Sequence, residues 1–422
     1  MRTRAARLYQ AGGIRVEEFN LPDIREDEIL AKVVSDSLCM STYKAAVQGS
    51  AHKRVPESIG EHPVIMGHEF SGVVVKSGSR WRERYPEGMK FTVQPNINYL
   101  GKGYAPGYSF EYFGGNAEYI IIPREVMEGG FFLEYRGDAF YCASLAEPMS
   151  CIIAAFHESF RPKAGTHTME MGTVPGGAMA LLAGAGPMGL GAVDYALHME
   201  NPPSLLVVTD IDSRRLERAA EVLSPSHAEE LGVKLVYVHV PSANHPVEYL
   251  RSLSSGRGFD DVFVFAPVEE VVEMGDRLLA QNGCLNFFAG PVDPGFSGKV
   301  NFFNVHYAGT RITGTSGGLT SDMQEALDLS GRGVINPSVM ITHVGGLSCA
   351  AEATLQLPKI PGGKKLIYTH ADMELTALDD LDDAASSDPR YRDLADAVKR
   401  NSGLWSAEAE EILLSQFARR DQ

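Results

Sequence analysis

The chain has 422 residues, 44% hydrophobic and 22% charged, with a formal net charge of −16. At ~150 residues per domain this is a chain of several domains, and the apolar share excludes wholesale disorder. The excess of 54 acidic over 38 basic residues speaks against nucleic acid or an anionic membrane as the main partner and leaves room for a local basic pocket for a small anion.

The opening MRTRAARLYQAGGIRVEEF is basic but lacks an apolar run, so it does not read as a signal peptide. The longest uncharged apolar stretch, Ala178 to Val193, is too short for a bilayer and contains four glycines and a proline. A cytoplasmic protein is the expectation. Up to about residue 120 the text is short β segments with Gly and Pro between them: GIRVEEF, EILAKVVSDSL, FSGVVVKSG, MKFTVQP and NAEYIIIP. Between them, residues 94–116, rich in Gly, Tyr and Asn, read as a long surface loop with a functional role.

From about 178 to 290 the pattern changes. Apolar runs at Ala180–Ala183, Leu205–Val208, Lys234–Val238, Val262–Phe265 and Cys284–Phe288 alternate with helix-like text, SRRLERAAEVL and VEEVVEMGDRLLAQNG, the latter expected to stop at Gly283. Such alternation predicts a parallel sheet covered on both faces. Strand text returns at Thr310–Thr313 and Lys365–Tyr368. Residues 371–422 carry 13 acidic and 6 basic side chains. Within them LDDLDDAASSDP reads as a solvated linker, and SAEAEEILLSQFARR as a helix with Ser406 as N-cap and arginines in its last turn. Ile412, Leu413 and Phe417 would dock that helix on the body or on a second subunit, the former being the simpler reading.

Gly184-Ala185-Gly186-Pro187-Met188-Gly189 lies between the strand AMALLA and the helix-like LGAVDYALHM, the context that a dinucleotide-binding glycine motif requires. The first glycine permits the turn, the second lets the backbone approach a pyrophosphate, and the third brings helix and strand together. Asp210, 21 residues after Gly189, is placed to hold a ribose hydroxyl, which favours NAD; Arg214 and Arg215 would suit a 2′-phosphate and keep NADP as the second choice. A helix cap or turn acid is the structural alternative for Asp210.

The five cysteines, Cys39, Cys142, Cys151, Cys284 and Cys349, form neither a disulfide framework nor a C-x-x-C pair. Taken singly, a Cys or His is more often structural than functional. Three segments nonetheless stand out: LCMSTYK (38–44), GHEFSG (67–72) and LAEPMSC (145–151). In this order ahead of the glycine motif, they resemble the zinc-dependent medium-chain dehydrogenase/reductase family over residues 1–368. The resemblance implies an α/β protein. A GroES-like catalytic domain would be formed by both chain ends (1–155 and 306–369), around an inserted Rossmann domain (156–305), with an acidic helical extension at 370–422. It implies Cys39, His68 and Glu147 as zinc ligands, Glu69 as a transient or water-mediated ligand, and Cys151 as the rival to Glu147. Zinc in such a site polarises a carbonyl, or stabilises an alkoxide, for hydride exchange with nicotinamide. Ser41 would hydrogen-bond the reacting oxygen, and Lys44 would extend the proton relay or bind a substrate anion. Phe288, Ala289, Thr315 and Ser316 would line the nicotinamide pocket with Arg215 near the ribose, and Lys365 could reach the pyrophosphate.

Residues 90–120 lack cysteine, so the second, structural zinc of many family members is not expected. The segment THTMEMGTVPGG (166–177) and the tail after 370 depart from the common pattern. Among branches, LCMSTYK, PVIMGHEFSG, FGGNAEY and AEPMSC are most similar to sorbose-1-phosphate reductases, which implies reduction of a ketose 1-phosphate to a hexitol phosphate, with Lys44 and Lys102 as phosphate contacts. The alternatives are an unphosphorylated polyol or secondary alcohol as substrate, or a non-catalytic nucleotide-binding protein. The family also implies a homodimer or homotetramer.

Overall fold

The computed structural model describes residues 1–419. The chain forms two compact units, one of residues 1–147, 323–333 and 341–422 and the other of 148–322 and 334–340.

The first unit is β-rich. Its eight-stranded sheet has the order Phe132–Glu134, Lys90–Val93, Phe70–Ser77, Ile29–Ser37, Lys364–Tyr368, Ile341–Gly346, Thr376–Ala377, with Tyr119–Ile122 also paired to Ile29–Ser37. The junction of early and late chain is antiparallel, with Leu366 opposite Ser37 and Tyr368 opposite Ser35. A second sheet joins Ile14–Asn20, Arg2–Leu8 and Val64–Ile65. Alternating β-branched and aromatic residues make the strands, and their inward set, including Ile29, Val33, Phe70, Phe91 and Ile120, closes a dry core with Phe113. Residues 94–116 are more ordered than a surface loop. Ile97–Tyr99 and Lys102–Tyr104 pair as a hairpin, and Ala105, Tyr108 and Phe113 are buried, because this stretch carries the aromatic groups that cover the barrel.

The second unit holds a six-stranded, all-parallel sheet. Its spatial order is Lys234–His239, Leu205–Asp210, Ala178–Leu182, Phe259–Val264, Leu279–Phe287, Arg311–Gly314, or 3-2-1-4-5-6 in chain order. That is the doubly wound arrangement whose ligands sit beyond the carboxyl ends of the strands. Three expectations are corrected here. The helix starting at Glu269 ends at Leu278, and LLAQNG turns into strand Leu279–Phe287, whose pairing with Phe259–Val264 outweighs the helical pattern. Arg311–Gly314, expected in the barrel domain that was to resume at 306, is the sixth parallel strand of this sheet. Residues 148–155 also fall in the second unit, in contrast to the expected boundary at 155. The segment 166–177 contributes Met169–Met171, an exposed strand paired with Phe160–Pro162.

The acidic extension packs on the first unit. Its supposed linker is the helix Leu381–Ser387, seated by buried Leu378 and Leu381. Tyr391–Arg400 and Ala407–Gln416 follow, the latter capped by Ser406 accepting from the Ala409 N–H. The helix stops before Arg419, which instead pairs with Glu18 and Glu118; Arg420 lies outside the described residues. Among the described residues no helix is long and apolar enough to cross a membrane.

Candidate metal centre and nucleotide cradle

Cys39 caps the helix Met40–Gln48 with an extended backbone, φ −121° and ψ 146°. His68 and Glu69 follow Gly67, whose φ of +92° only glycine adopts easily; a Cβ there would also lie 2.7 Å from the Asp36 carboxylate and from the Asn116 side chain. This turn presents His68 and Glu69 to Cys39. Donor atoms of Cys39, His68 and Glu69 all lie within 4.8 Å of one another. His68 and Glu69 are buried while Cys39 and Glu147 are half-buried and Ser41 is exposed, so the group opens on one side.

Each ligand candidate is held from behind. Ser41 Oγ donates to Cys39 Sγ at 3.0 Å and lies 3.3 Å from His68 Nε2. His68 Nδ1 meets Thr42 Oγ1 at 3.0 Å and the Tyr108 hydroxyl at 3.1 Å. Nε2 faces Ser41, and the two hydroxyls at Nδ1 fix the orientation of the ring. Lys364 Nζ donates to both Glu69 oxygens at 2.6 Å. Burial pushes the Glu69 carboxyl up, but Lys364 and His68 outweigh it and hold it below its ordinary value. Glu147, in the first turn of helix Ala146–His157, is pushed up to about 7 by desolvation and then by the Glu69 charge. Burial and Glu69 likewise raise the Cys39 thiol. A thiol, an imidazole and two carboxyls thus feel one another and the Lys364 ammonium. A borderline-soft divalent cation suits that donor set and relieves its mutual repulsion.

Of the residues singled out in the sequence, Cys39, His68 and Glu69 come together and Glu147 feels the charges of all three. Glu147 and Cys151, one turn apart on the same helix, both lie outside the 4.8 Å group. Lys44 is half-buried on the helix after Cys39, and Lys102 is exposed in the hairpin. Lys365 Nζ donates to the carbonyls of Ile360, Pro361 and Gly363, stapling a loop of its own unit. Sequence reasoning missed Thr42, Tyr108 and Lys364. Thr42 sits three residues from Cys39, one helical turn, and the Tyr-rich stretch 94–116 was the visible signal for Tyr108.

In the second unit, Gly184 follows strand Ala178–Leu182 and Gly186 caps helix Pro187–His198. A Cβ on Gly186 would meet nothing within 4 Å, whereas one on Gly189 would collide with the Gly184 carbonyl. The open second and packed third glycine are what a pyrophosphate cradle needs, with Pro187 and Met188 opening the helix. Asp210 ends its strand and accepts from the N–H groups of Ala185, Ile211 and Asp212, so it shapes the turn as well as offering lone pairs. Arg215 is exposed, 3.9 Å from Asp212. Phe288 and Ala289 both donate N–H to Val264 O, and Thr315 Oγ1 lies 3.5 Å from Asn286 Oδ1. These groups and Ser316 all follow the carboxyl ends of parallel strands.

Residues 25–128 match the family model of the alcohol dehydrogenase GroES-like domain, and 187–332 that of the zinc-binding dehydrogenases. The chain is 50% identical, over 98% of each chain, to mannitol-1-phosphate 5-dehydrogenase of Aliivibrio fischeri. It is 43% identical to L-sorbose 1-phosphate reductase of Klebsiella pneumoniae, covering 98% of this chain and 97% of that one. The crystal structure of 2R,3R-butanediol dehydrogenase from Bacillus subtilis superposes with a TM-score of 0.69 at 21% identity, covering 87% of this chain and 99% of that one.

Proposed function

Since the chain belongs to the zinc-dependent alcohol and polyol dehydrogenases of the medium-chain family, we propose that it interconverts a ketose phosphate and a hexitol phosphate, foremost L-sorbose 1-phosphate and D-glucitol 6-phosphate. The grouping of Cys39, His68 and Glu69 within 4.8 Å carries the chemistry, and the two full-length relatives named for phosphorylated substrates carry the substrate class. Cys39, His68 and the carboxylates of Glu147 and Glu69 would hold one zinc. When bound, zinc supplies Lewis acidity toward a substrate oxygen, and the nicotinamide exchanges a hydride with the adjacent carbon.

The protein's own groups do the rest. Ser41 Oγ, exposed and anchored to Cys39 Sγ, would give the substrate oxygen a proton during reduction and take it during oxidation. Lys44, one turn further along the same helix, would pass that proton to solvent. Thr42 and Tyr108 hold the His68 ring in its orientation, and Lys364 keeps Glu69 ionised. The glycine turn, Asp210 and the 288–289 and 315–316 segments would seat the nicotinamide cofactor, NAD before NADP because Asp210 disfavours a second phosphate. The exposed Phe302, Phe303 and Tyr307 support a homo-oligomer, which sedimentation would test.

The deciding experiment measures zinc content together with NADH and NADPH oxidation on L-sorbose 1-phosphate, fructose 6-phosphate and the free ketoses. One zinc per chain with turnover confined to phosphorylated ketoses is the expected result. Equal turnover of free ketoses or polyols would move the protein to the unphosphorylated branch. Nucleotide binding without zinc would remove the catalytic reading.

A further inference from the structure

A phosphate ester on a substrate needs a cation close to the reacting carbon, and the chain's overall charge of −16 makes such a cation scarce. Around the metal centre most cations are occupied. Lys364 is engaged with Glu69, Lys365 with three carbonyls, and Arg7 with Glu17 and Glu111. Arg54 is different. It stands 15 residues after Cys39 in the run Ala51-His52-Lys53-Arg54, and it is half-buried.

Three contacts fix Arg54 in place. Its backbone N–H donates to His52 Nδ1 at 3.3 Å, its carbonyl accepts from Ser109 Oγ at 3.0 Å, and its Nη2 donates to Asn96 Oδ1 at 3.0 Å. Its remaining guanidinium donors meet no protein acceptor, and it makes no ion pair, among the described residues. The same loop reaches the metal centre through successive ring contacts. His52 lies on Tyr108 with centroids 5.4 Å apart and planes 19° apart, and Tyr108 lies 5.3 Å from His68. The Arg54 charge is felt at His68, where it adds to burial in holding the imidazole below its ordinary pKa.

A guanidinium held by one neutral partner and lacking a counter-ion has donors to spare for an anion. We propose that Arg54, with Asn96 orienting its fork and Lys53 beside it, is the phosphate-binding subsite of the substrate pocket, in place of Lys44 and Lys102. The proposal rests on the sugar-phosphate reading above. A planar guanidinium offers a phosphate two parallel N–H donors, and an exposed lysine offers only a point charge.

The test uses the zinc-loaded full chain and Arg54→Gln, with L-sorbose 1-phosphate, fructose 6-phosphate and L-sorbose as substrates. For the phosphorylated ketoses kcat/KM should fall by about 30-fold or more, mostly through KM, as expected when one partner of a desolvated charge pair is removed. The ratio of phosphorylated to free ketose should collapse with it. Competitive inhibition by inorganic phosphate should weaken in parallel, and Arg54→Lys, which keeps the charge and guards against a folding artefact, should recover part of each loss. If the wild type prefers phosphorylated ketoses and Arg54→Gln keeps that preference within about fivefold, the worth of an exposed charge, the subsite is wrong while the function stands. If the wild type itself shows no such preference, the sugar-phosphate reading fails and the subsite falls with it.

Discussion

Lys364 and Lys365 are neighbours in one strand, and the pleat sends their side chains to opposite faces. One meets a buried carboxylate, the other a ring of carbonyls. The sequence shows the pair but not which lysine faces the metal centre, because that depends on the register with Ile29–Ser37. Lys364→Met should therefore leave Glu69 as an uncompensated buried charge and cost about 3–5 kcal/mol. Lys365→Met should cost less, about 1–3 kcal/mol for its loop bonds. Urea midpoints at pH 7 decide; equal losses would mean that Glu69 does not depend on its ammonium. At His68 the two hydroxyls divide the work, so Tyr108→Phe should weaken zinc binding roughly 10-fold by chelator competition while the fold is kept. Cys39, His68 and Glu69 were legible because they lie in short motifs. Tyr108 and Lys364 reach the centre only through tertiary contacts.

The short helix Phe140–Ser144 has no side-chain cap of its own. Glu410, in the helix Ala407–Gln416 of the extension, supplies one: its carboxylate accepts from the N–H groups of Phe140 and Tyr141, at 2.6 and 2.9 Å. The same carboxylate accepts from the Tyr368 hydroxyl, which in turn accepts from the indole N–H of fully buried Trp405. Ser406 was readable as a cap from local sequence. Glu410 was not, because its partners lie 270 residues away. Burial raises the Glu410 carboxyl to about 7 against an ordinary 4.5. A raised folded pKa means that the folded protein holds the proton more tightly. Its stabilising contribution is complete below about pH 4.5 and lost as pH rises through 7, up to about 3 kcal/mol in all. Glu410→Gln, which cannot titrate, should flatten the dependence of unfolding free energy on pH between 5 and 8. An unchanged slope would assign that dependence elsewhere. Ser144 continues the chain of contacts by donating to the Ser35 carbonyl at 3.0 Å, three residues before Glu147.

At the scale of the molecule, the alternation of strand and helix text made the parallel sheet legible, since each strand there is a continuous apolar run. The limits of the two units were harder to read, because Arg311–Gly314 looks the same whether it closes a barrel or extends a sheet. The extension was hardest, since its buried Leu394, Trp405, Leu413 and Phe417 sit amid acidic text. At ~1.5–3 kcal/mol for each such side chain, removing residues 371–422 should take about 6–12 kcal/mol from the first unit, comparable to a domain's whole margin of ~5–15 kcal/mol. The truncated chain should show loss of cooperative unfolding by calorimetry; an unaltered transition would make the extension an ornament. The interleaving of the chain also sets an order of birth. On the ribosome, residues 148–314 complete their own sheet while the barrel still waits for strand Lys364–Tyr368. Glu69 precedes its ammonium by 295 residues. At translation rates of ~5–20 residues per second, the nascent thiol, imidazole and carboxylate spend roughly 15–60 s without it. The Cys39, His68 and Glu69 group is thus complete with its ammonium only once strand Lys364–Tyr368 has been made.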